Sequence, residues 1–201
     1  TLLVDRRTRA QKSASYRRLN PRGLIPVLET PEGPVFETAA ILLWLADGAH
    51  RLAPPPDSPA RGAFLSWLFA FSNGLHAELR ALFYPDTIAG PEPDAFTERT
   101  RARVAEMLDL AETHAGAGHR WFAAPEPSVL DLYMAVMLRW LALYPVGDTG
   151  WFTLTRWPAL HALAARIEAR PAALRAAEAE GLGPTPFSAP HYPNPPEGSA
   201  T

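Results

Sequence analysis

Apolar residues along this chain change their spacing several times, and each change predicts an element. Leu2-Leu3-Val4 is a short continuous apolar run, the pattern of a strand buried on both faces of a parallel sheet. Residues 5–15 are polar and read as a loop. Tyr16 and Leu19 then recur at helical spacing until Asn20-Pro21-Arg22-Gly23 stops them. Pro21 cannot continue a helix, and Gly23 can take a positive φ. Ile25 to Glu29 is β-branched and apolar, Thr30-Pro31-Glu32-Gly33 is a turn, and Pro34-Val35-Phe36 returns antiparallel. Thr38 is placed to cap a helix running from Ala39 to Ala46, apolar on most of its faces.

Residues 47–59 carry three successive prolines and read as a stiff linker. Ser58 with Pro59 then predicts a helix start. That helix runs to about Phe83 with Phe64, Leu68, Phe71, Leu75, Leu79 and Leu82 three or four apart on one face. Trp67, Phe69, His76 and Tyr84 fall off this stripe. A second amphipathic helix, capped by Asp94 or Thr97, ends at Gly116 with Val104, Met107, Leu108 and Ala111 inward and a charged outer face. Ser128 and Asp131 have capping-box spacing ahead of a helix that is apolar nearly all round through Tyr144, which places that helix in a domain centre. A buried helix start must satisfy its N–H groups, so Asp131 is read as structural, not catalytic. Two more helices follow Trp157-Pro158 and Arg170-Pro171. The proline-rich tail after Gly181 is extended by default, with Phe187, His191 and Tyr192 available to pack if it folds back over a cleft.

Composition narrows the function classes. The 201 residues are 47% hydrophobic with a net charge of -2, ample for a core and without the basic footprint of a nucleic-acid binder. There is no cysteine, hence no disulfide framework, thiolate metal site or cysteine nucleophile. No apolar run reaches membrane-spanning length. The six histidines are scattered, with no metal-ligand spacing.

The hairpin region carries the chemistry. A cis bond before Pro26 would turn the Ile25 backbone outward with an unpaired N–H and C=O, ready for a peptide laid alongside. Free N–H groups and the Thr38 hydroxyl at a helix start suit a carboxylate, and Glu37 beside them suits an ammonium. Together these fit an amino-acid-like or peptide ligand. The residues alone also allow an ordinary strand-start proline and a simple cap.

The segment Leu19-Asn20-Pro21-Arg22-Gly23, Ile25-Pro26-Val27-Leu28 and Glu37-Thr38-Ala39-Ala40-Ile41 resembles the second half of the thioredoxin-like domain of cytosolic, bacterial-type glutathione transferases. The Ser128–Asp131 box resembles the start of the central helix in their C-terminal domain, and the likeness extends to about Gly181. The resemblance implies an α/β thioredoxin-like domain at residues 1–48, a linker at 49–59, an all-α helical domain at 60–183 and a tail at 184–201. It implies that Ile25 and a cis Pro26 meet the cysteinyl backbone of glutathione, and that Glu37 and Thr38 hold its γ-glutamyl end. Thr38 stands where the family usually has Ser. Lys12, and more weakly Gln11, would reach the glycyl carboxylate. Phe71, His76 and Tyr84 would line a pocket for a small apolar electrophile, with His76 also suited to general-base work. The family's domain opens with one more strand and helix, roughly thirty residues, and its thiol-activating residue lies there. The first strand and helix are therefore expected to be missing from this stretch, and no residue in it inherits that role. The resemblance further implies a cytoplasmic homodimer with no metal. It leaves open a non-catalytic binding protein of the same fold, and glutathione-dependent isomerisation, peroxide reduction or ether cleavage.

Overall fold

The computed structural model describes residues 2, 4–85, 88–90 and 92–194. A turn at residues 6–9 leads into a 3-10 turn, Ala10–Lys12, and then α1, Ala14–Leu19. The polar stretch therefore ends earlier than its composition predicts. The cause is Ser13, whose hydroxyl accepts from the Tyr16 N–H at 3.2 Å and caps α1. Asn20 ends the helix and is buried, with its amide donating to the Leu24 carbonyl at 2.7 Å and its oxygen accepting from the Arg22 N–H at 3.0 Å. Gly23 sits at φ +59, and a Cβ there would lie 2.8 Å from the Gln11 carbonyl, so only glycine lets this turn press against the 3-10 turn.

β1 (Val27–Thr30) and β2 (Gly33–Phe36) form an antiparallel hairpin, with Val27 opposite Phe36 and Thr30 opposite Gly33 across a two-residue turn. Among the described residues this is the whole sheet. Leu2 and Val4 are not in a strand, which corrects the expectation for that run; Leu3 lies outside the described residues. A strand exists only through a hydrogen-bonded neighbour, and the hairpin pairs its two strands with each other. Ile25 and Pro26 likewise precede β1 instead of opening it.

α2 (Thr38–Gly48) buries Ala39 and Ala46. The following segment is held at both ends. Arg61 forks onto the Asp47 carboxylate at 2.7 and 2.8 Å and donates to the Pro54 carbonyl at 2.7 Å. The Leu52 carbonyl accepts the Val129 N–H at 2.7 Å. α3 (Arg61–Ala70) starts two residues later than Ser58-Pro59 predicts, because Ser58 closes a separate turn through the Ala60 N–H. One rod then continues through a π-helical segment, Phe71–His76, into α4, Ala77–Phe83. Gly74 faces Met107 at the widened turn, where a Cβ would come within 3.1 Å of the methionine methyl.

α5 (Pro93–Ala115), α6 (Val129–Leu143), α7 (Pro158–Glu168) and α8 (Pro171–Ala179) complete the helices. The predicted stripe of α3 to α4 is buried throughout. α6 is the centre, with Leu130, Met134, Met137, Leu138 and Leu141 wholly buried. Each such side chain contributes about 1.5–3 kcal/mol relative to exposure. The box at its start is present: the Ser128 hydroxyl accepts from the Leu130 N–H at 3.0 Å, and Asp131 accepts from the Ser128 and Ala123 N–H groups, both at 2.7 Å. Burial pushes the Asp131 carboxyl above its usual range, while those N–H donors pull it back down.

Three ionic side chains tie the helical part together in ways periodicity does not reveal. Glu112, on the charged face of α5, accepts the Ala159 and Leu160 N–H groups at 2.8 and 2.9 Å and so caps α7 from another helix. Glu168 accepts from the Phe187 and Ser188 N–H groups and the Ser188 hydroxyl. Arg139, buried on α6, donates to the Pro186 and His191 carbonyls at 3.0 and 2.9 Å. The tail is thus ordered and folded back through Asn194, against its default reading; residues 195–201 lie outside the described residues. Among the described residues no helix is long and apolar enough to cross a membrane.

Candidate functional site

The candidate site begins at the start of α2. Thr38 is the first helical residue; Glu37, not Thr38, occupies the capping position, which corrects the predicted cap. Glu37 adopts φ 71, a region that disfavours a Cβ, so its backbone is strained at this point. No side chain caps the helix, and its first N–H groups stay available as donors. The Glu37 carboxylate pairs with the Arg22 guanidinium, and both groups are half exposed. The Ile25-Pro26 bond is cis, as the outward-turned reading required. Ile25 is 42% exposed, and its backbone groups find no partner among the described residues. Lys12 donates to the Arg22 carbonyl at 3.3 Å and lies along Gly23. Lys12, Arg22, Ile25, Glu37 and Thr38 therefore gather around one turn and one helix start. Arg22 was not singled out by the sequence reading. Its signal was the turn that contains it, which aims a cation back across the hairpin at Glu37.

The facing wall comes from the π-helical segment and α6. His76 Nδ1 lies 2.5 Å from the Tyr133 hydroxyl, and its ring stands 5.3 Å from Trp140. Burial, and then the charge of Arg80, hold His76 below the ordinary imidazole range, while Glu37 acts in the opposite sense. Burial pushes Tyr133 up to about 12, against a hydrogen bond with Ser72 and with a further push from Glu37. The Glu37 charge acts on both rings, and α2 packs against α6. Tyr133 was missed because it sits inside an apolar helix. A buried tyrosine, however, needs a partner for its hydroxyl, and that need was legible.

The remaining sequence candidates separate. Phe71 is fully buried against Trp67 and Phe122, with ring centroids at 5.5 and 5.6 Å, so it packs the core and lines no open pocket. This is a correction: Phe71 belongs to the apolar stripe, and the stripe faces the core, where the rod packs on α5. Tyr84 closes α4 two turns beyond His76, 39% exposed, with its hydroxyl accepting from Arg6. Ser128 and Asp131 stay within the capping box. Among the described residues no three His, Cys, Asp or Glu side chains converge as metal ligands would.

Comparison with known proteins agrees with this fold. The glutathione S-transferase N-terminal domain matches residues 1–47 and the glutathione S-transferase C-terminal domain matches residues 94–166. Glutathione S-transferase GST-4.5 of Xanthomonas campestris pv. campestris is 32% identical over 185 residues, covering 90% of this chain and 86% of that protein. A sphingomonad glutathione S-transferase solved with glutathione superposes with a TM-score of 0.67 at 32% identity, over 84% of this chain and 79% of that one. A glutathione transferase from Burkholderia graminis, solved with two glutathione molecules per subunit, superposes at a TM-score of 0.73 and 26% identity, over 87% and 75% of the two chains. With its hairpin and α2 forming part of a thioredoxin-like domain and α3 to α8 forming an all-helical one, the chain belongs to the glutathione S-transferase family.

Proposed function

We propose that this protein binds glutathione and transfers it to a small apolar electrophile. The α2 N–H groups and the Thr38 hydroxyl receive the γ-glutamyl carboxylate, and Glu37 receives the ammonium. The backbone of Ile25 before cis Pro26 pairs with the cysteinyl unit, and Lys12 reaches the glycyl carboxylate. This leaves the sulfur between the grip and the wall formed by His76 and Tyr133. His76, held toward its neutral form by burial and the Arg80 charge, is the proton acceptor of that wall. The thiolate then attacks the electrophilic carbon, and the leaving group departs with its electron pair. The observation that carries this reading is the meeting of one carboxylate, a set of uncapped helix N–H groups and the unpaired Ile25 backbone ahead of β1 around one turn.

The same reading takes residues 1–48 as the glutathione domain, 49–59 as linker, 60–183 as the helical domain and 184–201 as tail. It also takes the protein as a cytoplasmic homodimer. Exposed Trp44 and Leu45, both on α2, support a partner surface on that helix. Retention of the full chain on immobilised glutathione, with elution by free glutathione, tests the binding claim. Absence of retention overturns it.

A further inference from the structure

The far end of the proposed cleft has its own chemistry. His76, Arg80 and Tyr84 are four residues apart on the rod and share one face. Opposite them α6 presents Tyr133, Trp140 and, at its end, Tyr144. The two rows touch: His76 lies 5.3 Å from Trp140, and Phe83 lies 6.0 Å from Tyr144. The tail extends the aromatic wall, with Tyr192 5.8 Å from Tyr144 and its hydroxyl donating to the Leu143 carbonyl at 2.6 Å.

Charge distinguishes this surface from a plain apolar pocket. The Arg80 guanidinium lies 5.7 Å from the Tyr84 ring centre, on an exposed side chain. It pairs with no carboxylate among the described residues. Glu78, its near neighbour in sequence, is occupied by Arg103 through two bonds of 2.8 Å. Two other cations stand near the wall: buried Arg139 is committed to tail carbonyls, and Arg6 donates to the Tyr84 hydroxyl with its guanidinium 6.0 Å from that ring centre. A guanidinium set beside aromatic faces offers a planar fork for an anion and rings for stacking. A wholly apolar substrate would use only the rings.

We infer that the second-substrate end of the cleft takes an aromatic electrophile bearing an anionic substituent, its ring on Tyr84 and Tyr144 and its anion on Arg80. This rests on the glutathione reading for the position of the sulfur, and narrows the apolar electrophile of that reading to an aromatic one that also carries an anion. The step is nucleophilic aromatic substitution. The sulfur–carbon bond forms, the carbon–halide bond breaks, the halide leaves with its electron pair, and the thiol proton passes to His76, as in the glutathione reading.

The test is equilibrium dialysis of the full chain, in saturating S-methylglutathione, against two probes that differ only in a carboxylate: 4-chloro-3-nitrobenzoate and 1-chloro-2-nitrobenzene. The benzoate is expected to bind about five- to tenfold more tightly, from one charge-assisted pair. Arg80→Gln is expected to abolish that preference without changing affinity for the neutral probe, and Arg80→Lys to retain part of it. Equal affinity for the two probes, or a preference that survives Arg80→Gln, overturns the inference. A calorimetric titration with S-methylglutathione alone reads the other claim separately: no heat of binding overturns the glutathione reading, whatever the probes do.

Discussion

Removing one hydroxyl from the start of α6 tests the account of the helical core. In Ser128→Ala two bonds vanish. The Leu130 N–H loses its acceptor at 3.0 Å, and the Trp121 carbonyl loses its donor at 2.7 Å. Ser128, Leu130 and Trp121 are all buried, so water does not readily replace the lost partner. An ordinary N-cap deletion costs about 1 kcal/mol, reaching about 2. A buried group left unpaired adds about 1–3 kcal/mol. The two contributions overlap, since both include the Leu130 N–H, which puts the expected loss at about 2–3 kcal/mol. For a chain of this length that lowers the melting temperature by roughly 5–10 °C. Urea unfolding followed by circular dichroism reads the free energy directly, with an unchanged slope showing that the denatured state is the same. Ser128→Thr keeps the hydroxyl and should recover most of the loss. A Ser128→Ala loss under about 0.5 kcal/mol would refute the claim that this box secures a buried helix start.

Four further outcomes are expected. Glu37→Ala should weaken retention on glutathione while changing stability by no more than about 0.5 kcal/mol, because its pair with Arg22 is solvent-exposed; undiminished retention removes Glu37 from the site. Glu112→Ala leaves the Ala159 and Leu160 N–H groups without their acceptor and should cost about 1–2 kcal/mol by urea unfolding; a neutral result refutes the cross-helix cap. His114, stacked on Trp67 at 3.9 Å beside His119, is lowered from 6.5 to about 4 by burial and then by the His119 charge. The unfolded chain takes that proton near 6.5 and the folded one only near 4, so this residue makes stability fall as pH drops between those values; His114→Phe should flatten that limb, and an unchanged slope excludes His114 as its source. Arg139→Met should free the tail, seen as faster limited proteolysis between Gly183 and Asn194; equal cleavage rates would show that the guanidinium does not hold it.

How much was legible depended on distance along the chain. The hairpin, the Ser128–Asp131 box and the buried stripe of α3 and α4 were all read from residues within a few positions of one another. The reading of Glu37 and Ile25 as glutathione contacts came only from likeness to a family, since by themselves they allow an ordinary turn. The position assigned to Thr38 was wrong by one residue, and a one-residue shift decides which backbone is strained and which N–H groups stay free. Phe71 was misplaced for a related reason. Periodicity says a residue is apolar and on a face, but not whether that face meets another helix or open solvent.

Local chemistry in the sequence determined where helices start and stop, which residues turn the chain and which faces are apolar. Those outcomes depend on φ preferences, on caps and on the spacing of side chains along one helix. Tertiary structure alone decided that Tyr133 meets His76, that Glu112 caps α7, and that Arg139 and Glu168 fasten the tail. Each of these joins residues brought together by packing, where a polar group takes the one partner the core leaves within reach. The sequence pattern records that Tyr133 and Arg139 need partners in a buried helix; only the packing of α6 against its neighbours says which ones.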